Sequence, residues 1–322
     1  MSMRSALDRR DILGALTIGA VLAPLSGCRR VSTGPVVGFS QMGNDNAWRI
    51  AETRSMREEA RRSGRYELVV TDAQDQTAKQ VSDVEDLIAR RVRALFIAPR
   101  EYYGLEPVFE TARHAKVPVF LIDREAAGEP GFDYVSFLGS DFIAQGRRAA
   151  AWLAERTGGS ARIMELSGTP GSSVASDRSK GFLEGIAAHP GMRLVASQTG
   201  QFSRSMGQRV MENVLQARGR AINAVYAHND EMAIGAIQAI RGARLRPGKD
   251  MMLVSIDGER AALEAIIRGE LGACVESNPR FGPLAFATLE RHLLGHRVPP
   301  RIILEDRLFD SGNAREFLHL AY

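Results

Sequence analysis

Cysteine is almost missing from this chain. Cys28 and Cys274 are the two in 322 residues. They stand in very different contexts, so no structural disulfide is expected between them, and no CxxC pair is present for a zinc or redox site. A basic block is also missing. The 42 Lys and Arg are scattered among 38 Asp and Glu, for a net charge of +4. That balance argues against a nucleic-acid partner, which calls for a concentrated basic stripe. No apolar run reaches the ~20 residues that a membrane-spanning helix needs. No GxGxxG follows the first expected strand, so a dinucleotide site is unsupported, and no nucleophile elbow appears. The loop Ser167–Ser173 has the composition of a phosphate loop but lacks its Lys. His292 and His296 are four apart with no third ligand nearby, which reads as surface histidine rather than a metal site. No cofactor is expected. Short tandem repeats and low-complexity segments are absent too.

The first thirty residues are organised for export. Arg4, Arg9 and Arg10 precede the apolar run 12–25, and Leu25-Ser26-Gly27-Cys28 follows it. A charged start, a short apolar core and small residues before a cut describe an export signal. The Leu-Ser-Gly-Cys ending resembles a bacterial lipobox, which implies lipid on the Cys28 sulfur and attachment to a membrane surface. Several acyl chains together hold a protein there stably, whereas one does so only marginally. Arg9-Arg10 resembles a twin-arginine motif, so both the Tat and the Sec route stay open. An N-terminal core helix with a chance cysteine is the bland alternative. Residues 1–27 are set aside as the signal and 28–34 as a tether.

From Pro35 the pattern alternates. Strands are expected at Val36–Ser40, Tyr66–Thr71, Ala94–Ala98 and Val117–Ile122, with helices over 47–63, 78–91 and 104–115. Near 135–141 the pattern resets, and Val135–Gly139 begins a second series. Its further strands are Ile163–Leu166, Leu194–Ser197, Ala224–Ala227 and Met252–Ile256. Helices near 142–157, 176–188, 204–218, 230–242 and 259–268 separate them. Strands alternating with helices of about 10–15 residues imply parallel sheets of βαβ units. The nearly all-apolar strands fit sheets covered on both faces. At roughly 100–200 residues per domain the length fits two domains. The fold class expected is α/β, with two doubly wound lobes. An eight-fold βα barrel is the alternative that counting units leaves open.

Ligands of open parallel sheets sit beyond the carboxyl ends of the strands. There the sequence places Asp45, Asn46, Trp48 and Arg49, then Asp123-Arg124, then a Gly/Ser loop leading to Asp177-Arg178. Phe202, Asn229, Asp257 and Glu276 follow the later strands. Aromatic rings suit the C–H faces of sugars. Hydroxyls donate to Asp and Glu, accept from Arg, and do both with Asn. Mixing Arg with carboxylates keeps such a pocket near neutrality, which matters because an unpaired buried charge is very costly. Each residue also has an ordinary structural explanation. Trp48 and Phe202 suit core packing, and Asn229 a helix cap. Asp257 before Gly258 suits a turn. Asp123-Arg124 suits a surface turn, Asp177-Arg178 a cap with an exposed charge, and Glu276 the surface. Cys274, in an apolar run, is expected to be a small buried residue.

At these residues a resemblance becomes specific. VVGFSQMG, AWR, ALFIAP, VFLIDR, GSSVASDRSKGF, SQTGQFSRS, VYAHNDEMAIGAIQAI, GKD and SIDG resemble the periplasmic sugar-binding proteins of the ribose-binding type, and within them the galactofuranose-binding members of ABC importers. The resemblance implies two Rossmann-like lobes joined by a three-segment hinge. Lobe one takes 35–139 and 277–304, and lobe two 140–276 and 305–322. It implies ligand-binding roles for Trp48, Arg49, Asp123, Arg124, Arg178, Asn229, Asp257 and Glu276, with Phe202 as a second aromatic. Where those members carry Glu-Ser-Gly this chain has Asp45-Asn46-Ala47. The shorter carboxylate bears on which sugar fits, not on the class.

The function expected is therefore capture of a monosaccharide (galactofuranose or a related furanose, hexose or pentose) outside the cytoplasm. A hinge closes on the sugar and presents it to the membrane subunits of an ABC importer, and the chain acts as a monomer. A sugar sensor feeding a membrane receptor uses the same closure. A sugar-responsive transcription regulator needs an N-terminal DNA-reading helix pair, where this chain has its export signal. An enzyme is not expected. Asp123 and Asp257 would be its acid pair, a role that needs a carboxyl separation of about 5–9.5 Å.

Overall fold

The computed structural model describes residues 34–322. The expected export segment, most of the tether and Cys28 lie outside the described residues. The first half of the fold runs β1 (Val36–Gln41), α1 (Ala47–Ser63), β2 (Glu67–Asp72), α2 (Thr77–Ala89), β3 (Leu95–Ile97), α3 (Glu106–His114), β4 (Val119–Ile122) and β5 (Ser136–Ser140). There follow α4 (Phe142–Thr157), β6 (Ser160–Ser167), α5 (Ser173–Ile186), β7 (Gly191–Thr199), α6 (Arg204–Arg218), β8 (Ala224–Ala227), α7 (Asp230–Gly242), β9 (Met252–Asp257), α8 (Arg260–Ile267) and β10 (Ala273–Glu276). The chain ends with α9 (Gly282–Leu293), β11 (Arg301–Leu304), β12 (Leu308–Asp310) and α10 (Ala314–Phe317).

These strands form two open sheets rather than one barrel. Their orders are β11-β5-β4-β3-β1-β2 and β12-β10-β9-β8-β6-β7. Each repeats the doubly wound order in which the second strand lies outside the first and the third lies on its other side. Pairing is parallel throughout, except that β12 runs antiparallel to β10. The direction follows from connectivity. The chain leaves β11 at its carboxyl end and crosses to the second sheet within three residues, so it enters beside the carboxyl end of β10 and must run the other way.

The strand at 136–140, which the pattern reads as opening the second series, closes the first sheet instead. β5 pairs with β4 and β11, whereas α4 packs on β6, β9 and β10 of the second sheet. The crossover falls between that strand and its helix, which a strand–helix rhythm does not reveal.

Alternating strand residues face the two layers of helices. In β3, Leu95 and Ile97 join the core with Leu87, Val108 and Phe109 of α2 and α3. Phe96 points to the other face, with Met56 of α1 and Phe281 and Phe286 at α9. In the second sheet, Tyr226 stacks on Phe182 of α5 with ring centroids 3.9 Å apart, while Val225 faces Met211, Val214 and Met232. This two-sided burial is why the strands read as continuous apolar runs. The helices start on side-chain caps. Asn46, Asp141, Ser172, Ser203 and Asn229 each accept a backbone N–H three residues on. α1 and α4 stop at Gly64 and Gly158, both left-handed. Among the described residues, no helix is long and apolar enough to cross a membrane.

The candidate ligand cleft

Both sheets point their carboxyl ends at one cleft, and the lobes touch across it. Tyr102 N donates to Gly171 O at 2.9 Å, and Glu125 N donates to Ser173 Oγ at 3.0 Å. Between them lies a small, polar cavity. Asn46, Trp48, Arg49, Asp123 and Arg124 line it from one lobe, and Arg178, Phe202, Asn229 and Asp257, with Val174, from the other. The fold thus gathers the residues expected to bind the ligand, with two exceptions. Asp45 is exposed and does not line the cavity. Glu276 is buried but turns to the neighbouring crossover, accepting from Arg307 N at 3.2 Å and pairing with Arg307 Nη1 at 3.5 Å.

Three lining residues hold unusual backbone. Asp123, Phe202 and Asp257 have φ of 64°, 58° and 137°. Positive φ is uncommon outside glycine and is a genuine outlier for a bulky residue such as Phe. Such strain persists only where the surroundings impose it, and it concentrates at functional sites. Asp123 follows β4 and Asp257 ends β9, strands in corresponding positions of the two sheets, so each lobe presents a carboxylate from a residue with positive φ.

On the first lobe the charges form one buried network. Arg49 Nη2 donates to Asp123 Oδ2 at 2.6 Å and Nη1 to Glu52 Oε2 at 2.8 Å. Gln41 Nε2 also donates to Glu52 Oε2, at 2.8 Å. Burial disfavours the Arg49 charge, but Asp123 and Glu52 outweigh it and hold the guanidinium protonated. Burial pushes the Glu52 carboxyl up to about 7 against the pull of Arg49. Arg124 is lowered to about 9 by burial and by Arg49, so it remains a cation at neutral pH. Its Nε is buried without a hydrogen-bond partner, and its guanidinium carbon lies 5.4 Å from the Phe202 ring centre of the other lobe.

On the second lobe Arg178 is the centre. It donates from Nε to Gln145 Oε1 at 2.9 Å, from Nη1 to His228 O at 2.5 Å and from Nη2 to Asp257 Oδ1 at 3.4 Å. Burial raises the Asp257 carboxyl well above its usual range, and Arg178 only partly offsets this. Behind it, His228 Nδ1 accepts from Gly168 N at 3.2 Å. The ring proton is therefore on Nε2, facing Glu165 Oε1 at 3.0 Å. Burial works to raise Glu165. Hydrogen bonds from His228, Ser197 and Ser179 prevail and bring it down to about 2.

Several residues serve structure and cleft at once. Trp48 packs on Phe281, with ring centres 6.2 Å apart, and its Nε1 donates to Ser277 O at 2.8 Å, yet its ring also lines the cavity. Asn229 Oδ1 caps α7 by accepting from Met232 N at 3.0 Å, and its Nδ2 donates to Phe202 O at 3.1 Å. Ser172, not Asp177, caps α5, and Arg178 is buried rather than an exposed helix charge. Cys274 is buried, with Sγ donating to Asp230 Oδ1 at 3.0 Å. His292 packs edge-on against Phe120, and no group of His, Cys, Asp and Glu among the described residues is arranged to hold a metal.

Of the supporting residues, Gln41 and His228 stand among the polar residues at strand ends, but Glu52, Gln145 and Glu165, and the apolar Val174, were not singled out in the sequence. Only Glu52 carries a local signal, being three residues past Arg49 on a helix. The others meet their partners through the fold alone.

Comparison with known proteins agrees with this architecture. A family model described as a periplasmic binding protein domain matches residues 37–297. The galactofuranose-binding protein YtfQ of Escherichia coli K12 is 39% identical over 95% of this chain and 94% of its own. A crystal structure of a galactofuranose binding protein superposes with a TM-score of 0.86 at 39% identity, over 88% of this chain and 97% of that one. The periplasmic binding protein component of the arabinose ABC transporter from Shewanella sp. ANA-3, bound to alpha and beta-L-arabinofuranose, gives a TM-score of 0.86 at 38% identity, over 88% and 95%. With most of its length matched in both sequence and fold, this chain belongs to the periplasmic binding protein family.

Proposed function

We propose that the chain captures a monosaccharide, with preference for a furanose ring, and delivers it to the membrane subunits of an ABC importer. Lobe one comprises 35–139 and 277–304, and lobe two 140–276 and 305–322. The lobes close on the sugar by bending at the three crossovers. The observation that carries the reading is the cavity between the lobes, where two aromatic rings, three guanidinium groups and two carboxylates converge. Trp48 and Phe202 offer faces to the sugar ring. Asp123 and Asp257 accept from hydroxyls, and Arg49, Arg124, Arg178 and Asn46 donate to ring and hydroxyl oxygens. Because each lobe supplies part of this set, a bound sugar gains contacts only in the closed form, which is what a ligand needs to shift the hinge. Asp45 acts at the rim, and Glu276 holds the crossover beside Asp257. The relatives named above bind galactofuranose or arabinofuranose by their own descriptions, which supports the furanose preference. Lipid on Cys28 would hold the monomer at a membrane surface and raise its effective concentration near the importer. No bond of the sugar is broken in this reading.

The test is thermal unfolding of ligand-stripped protein against galactose, galactofuranosides, arabinose, ribose, glucose and inositol, with amino acids as controls. A ligand at 100 times its dissociation constant adds about 2.7 kcal/mol. One sugar should raise the melting temperature, Trp48→Ala should abolish the rise, and the sugar recovered from the complex should be unchanged. A flat response to every sugar from well-folded protein overturns the assignment. Recovery of a hydrolysed glycoside would make the protein an enzyme.

A further inference from the structure

Gln145 lies in the first turn of α4, is buried, and does not line the cavity. Both ends of its carboxamide are engaged. Oε1 accepts from Arg178 Nε at 2.9 Å. Nε2 donates to Glu276 O at 3.2 Å and to Asp306 Oδ2 at 2.8 Å. Asp306 in turn accepts at Oδ1 from Ser140 Oγ at 3.0 Å, and its carbonyl accepts from Arg148 Nη1. These partners are the three crossovers. Ser140 ends β5, Glu276 ends β10, and Asp306 stands between β11 and β12. The other donors of Arg178 go to His228 O and Asp257 Oδ1 at strand ends of its own lobe. Gln145 is thus the side chain through which the cavity guanidinium reaches every segment that must bend when the lobes move.

The chemistry fits the position. A guanidinium is a rigid plane, so a ligand that turns Arg178 at its Nη atoms also turns its Nε and shifts whatever accepts from it. An amide offers an acceptor and a donor without charge. Glu at 145 would place a second carboxylate against Asp306, and Leu would sever both sides.

We propose that Gln145 is a positioning residue that couples ligand occupancy at Arg178 to the three crossovers. The proposal rests on the binding reading above, because it takes Arg178 as a ligand contact. The experiment is a double-mutant cycle on the full chain without sugar, read by amide hydrogen exchange in fragments spanning 274–281 and 304–309. Arg178→Lys removes the Nε donor. With Gln145 in place it should speed exchange in both fragments about tenfold, the worth of one charged hydrogen bond. In a Gln145→Leu background it should add less than about twofold, since coupled sites are not additive. Equal factors in both backgrounds, or no effect of Arg178→Lys on either fragment, overturn the proposal, because a merely structural Gln145 gives additive changes. If Gln145→Leu does not fold, Gln145→Asn, too short to span both partners, replaces it. A second arm adds D-galactose or L-arabinose. The wild type should show slowed exchange at 123–124 and in both crossover fragments, and Gln145→Leu slowing at 123–124 alone. If neither sugar slows exchange anywhere in the wild type, the binding reading fails for those sugars, and the sugar-free cycle still decides the coupling.

Discussion

Replacing Arg49 by Met tests how the first lobe balances its buried charge. Met keeps the aliphatic packing beside the Trp48 ring, which now has the guanidinium carbon 4.6 Å from its centre. It removes the cation between Asp123 and Glu52, both nearly inaccessible to solvent. Breaking a buried ion pair from one side costs about 3–5 kcal/mol, so that is the loss expected near pH 6. The loss should then grow with pH. Glu52 has a pKa of about 7, raised by burial and lowered by Arg49. Without Arg49 its folded-state value moves higher, while the unfolded value stays where it was. Above pH 7 the variant therefore holds a proton that the wild type has released. A folded state that binds the extra proton loses stability as pH rises, at most about 1.4 kcal/mol per pH unit. Between pH 7 and 8.5 the deficit should widen by up to about 2 kcal/mol. Urea unfolding followed by far-ultraviolet circular dichroism at pH 6 and 8.5 measures it, and Glu52→Gln should remove the widening. A deficit that stays the same at both pH values refutes the assignment of Glu52 as the titrating partner.

Two further outcomes follow from the second lobe. Glu165 is lowered from 4.5 to about 2, so its contribution, roughly 3 kcal/mol, is fully present above pH 4.5 and is lost as pH falls toward 2. Glu165→Gln should be less stable than wild type at pH 7, and urea midpoints of the two should converge as pH falls from 4.5 toward 2; parallel curves would show that the His228 pair stores no such energy. At Gly168, a Cβ would collide with the Phe202 ring. Gly168→Ala should push that ring into the cavity, cost about 1–3 kcal/mol as overpacking and weaken sugar binding about tenfold. Calorimetry measures the affinity and urea unfolding the stability; Gly168→Ala protein that binds sugar as tightly as wild type would show that the ring does not move into the cavity.

The α/β class, most element boundaries and the polar and aromatic residues that line the cavity were legible because they depend on local pattern. Apolar runs of four to six residues, capping residues before helices and polar residues just past strands are all written along the chain. The crossovers were not legible from that pattern. Val135–Gly139 and the helix after it look like any other strand–helix unit, and nothing local says that they belong to different sheets. The roles of Gln145, Glu165 and His228 were equally hidden. A glutamine in a helix, a glutamate in a strand and a histidine at a strand end have no fixed meaning until partners 33 to 161 positions away meet them.

By itself, then, the sequence determined which residues stand at the strand ends and what chemistry they bring, because strand length, helix period and capping are short-range properties. Only the tertiary structure decided which of them share one cavity. It placed Asp45 in solvent and turned Glu276 toward Arg307. It also gave Asp123, Phe202 and Asp257 their strained backbone, because burial and long-range contacts, set once both sheets have closed on one cleft, fix a side chain's charge state and direction.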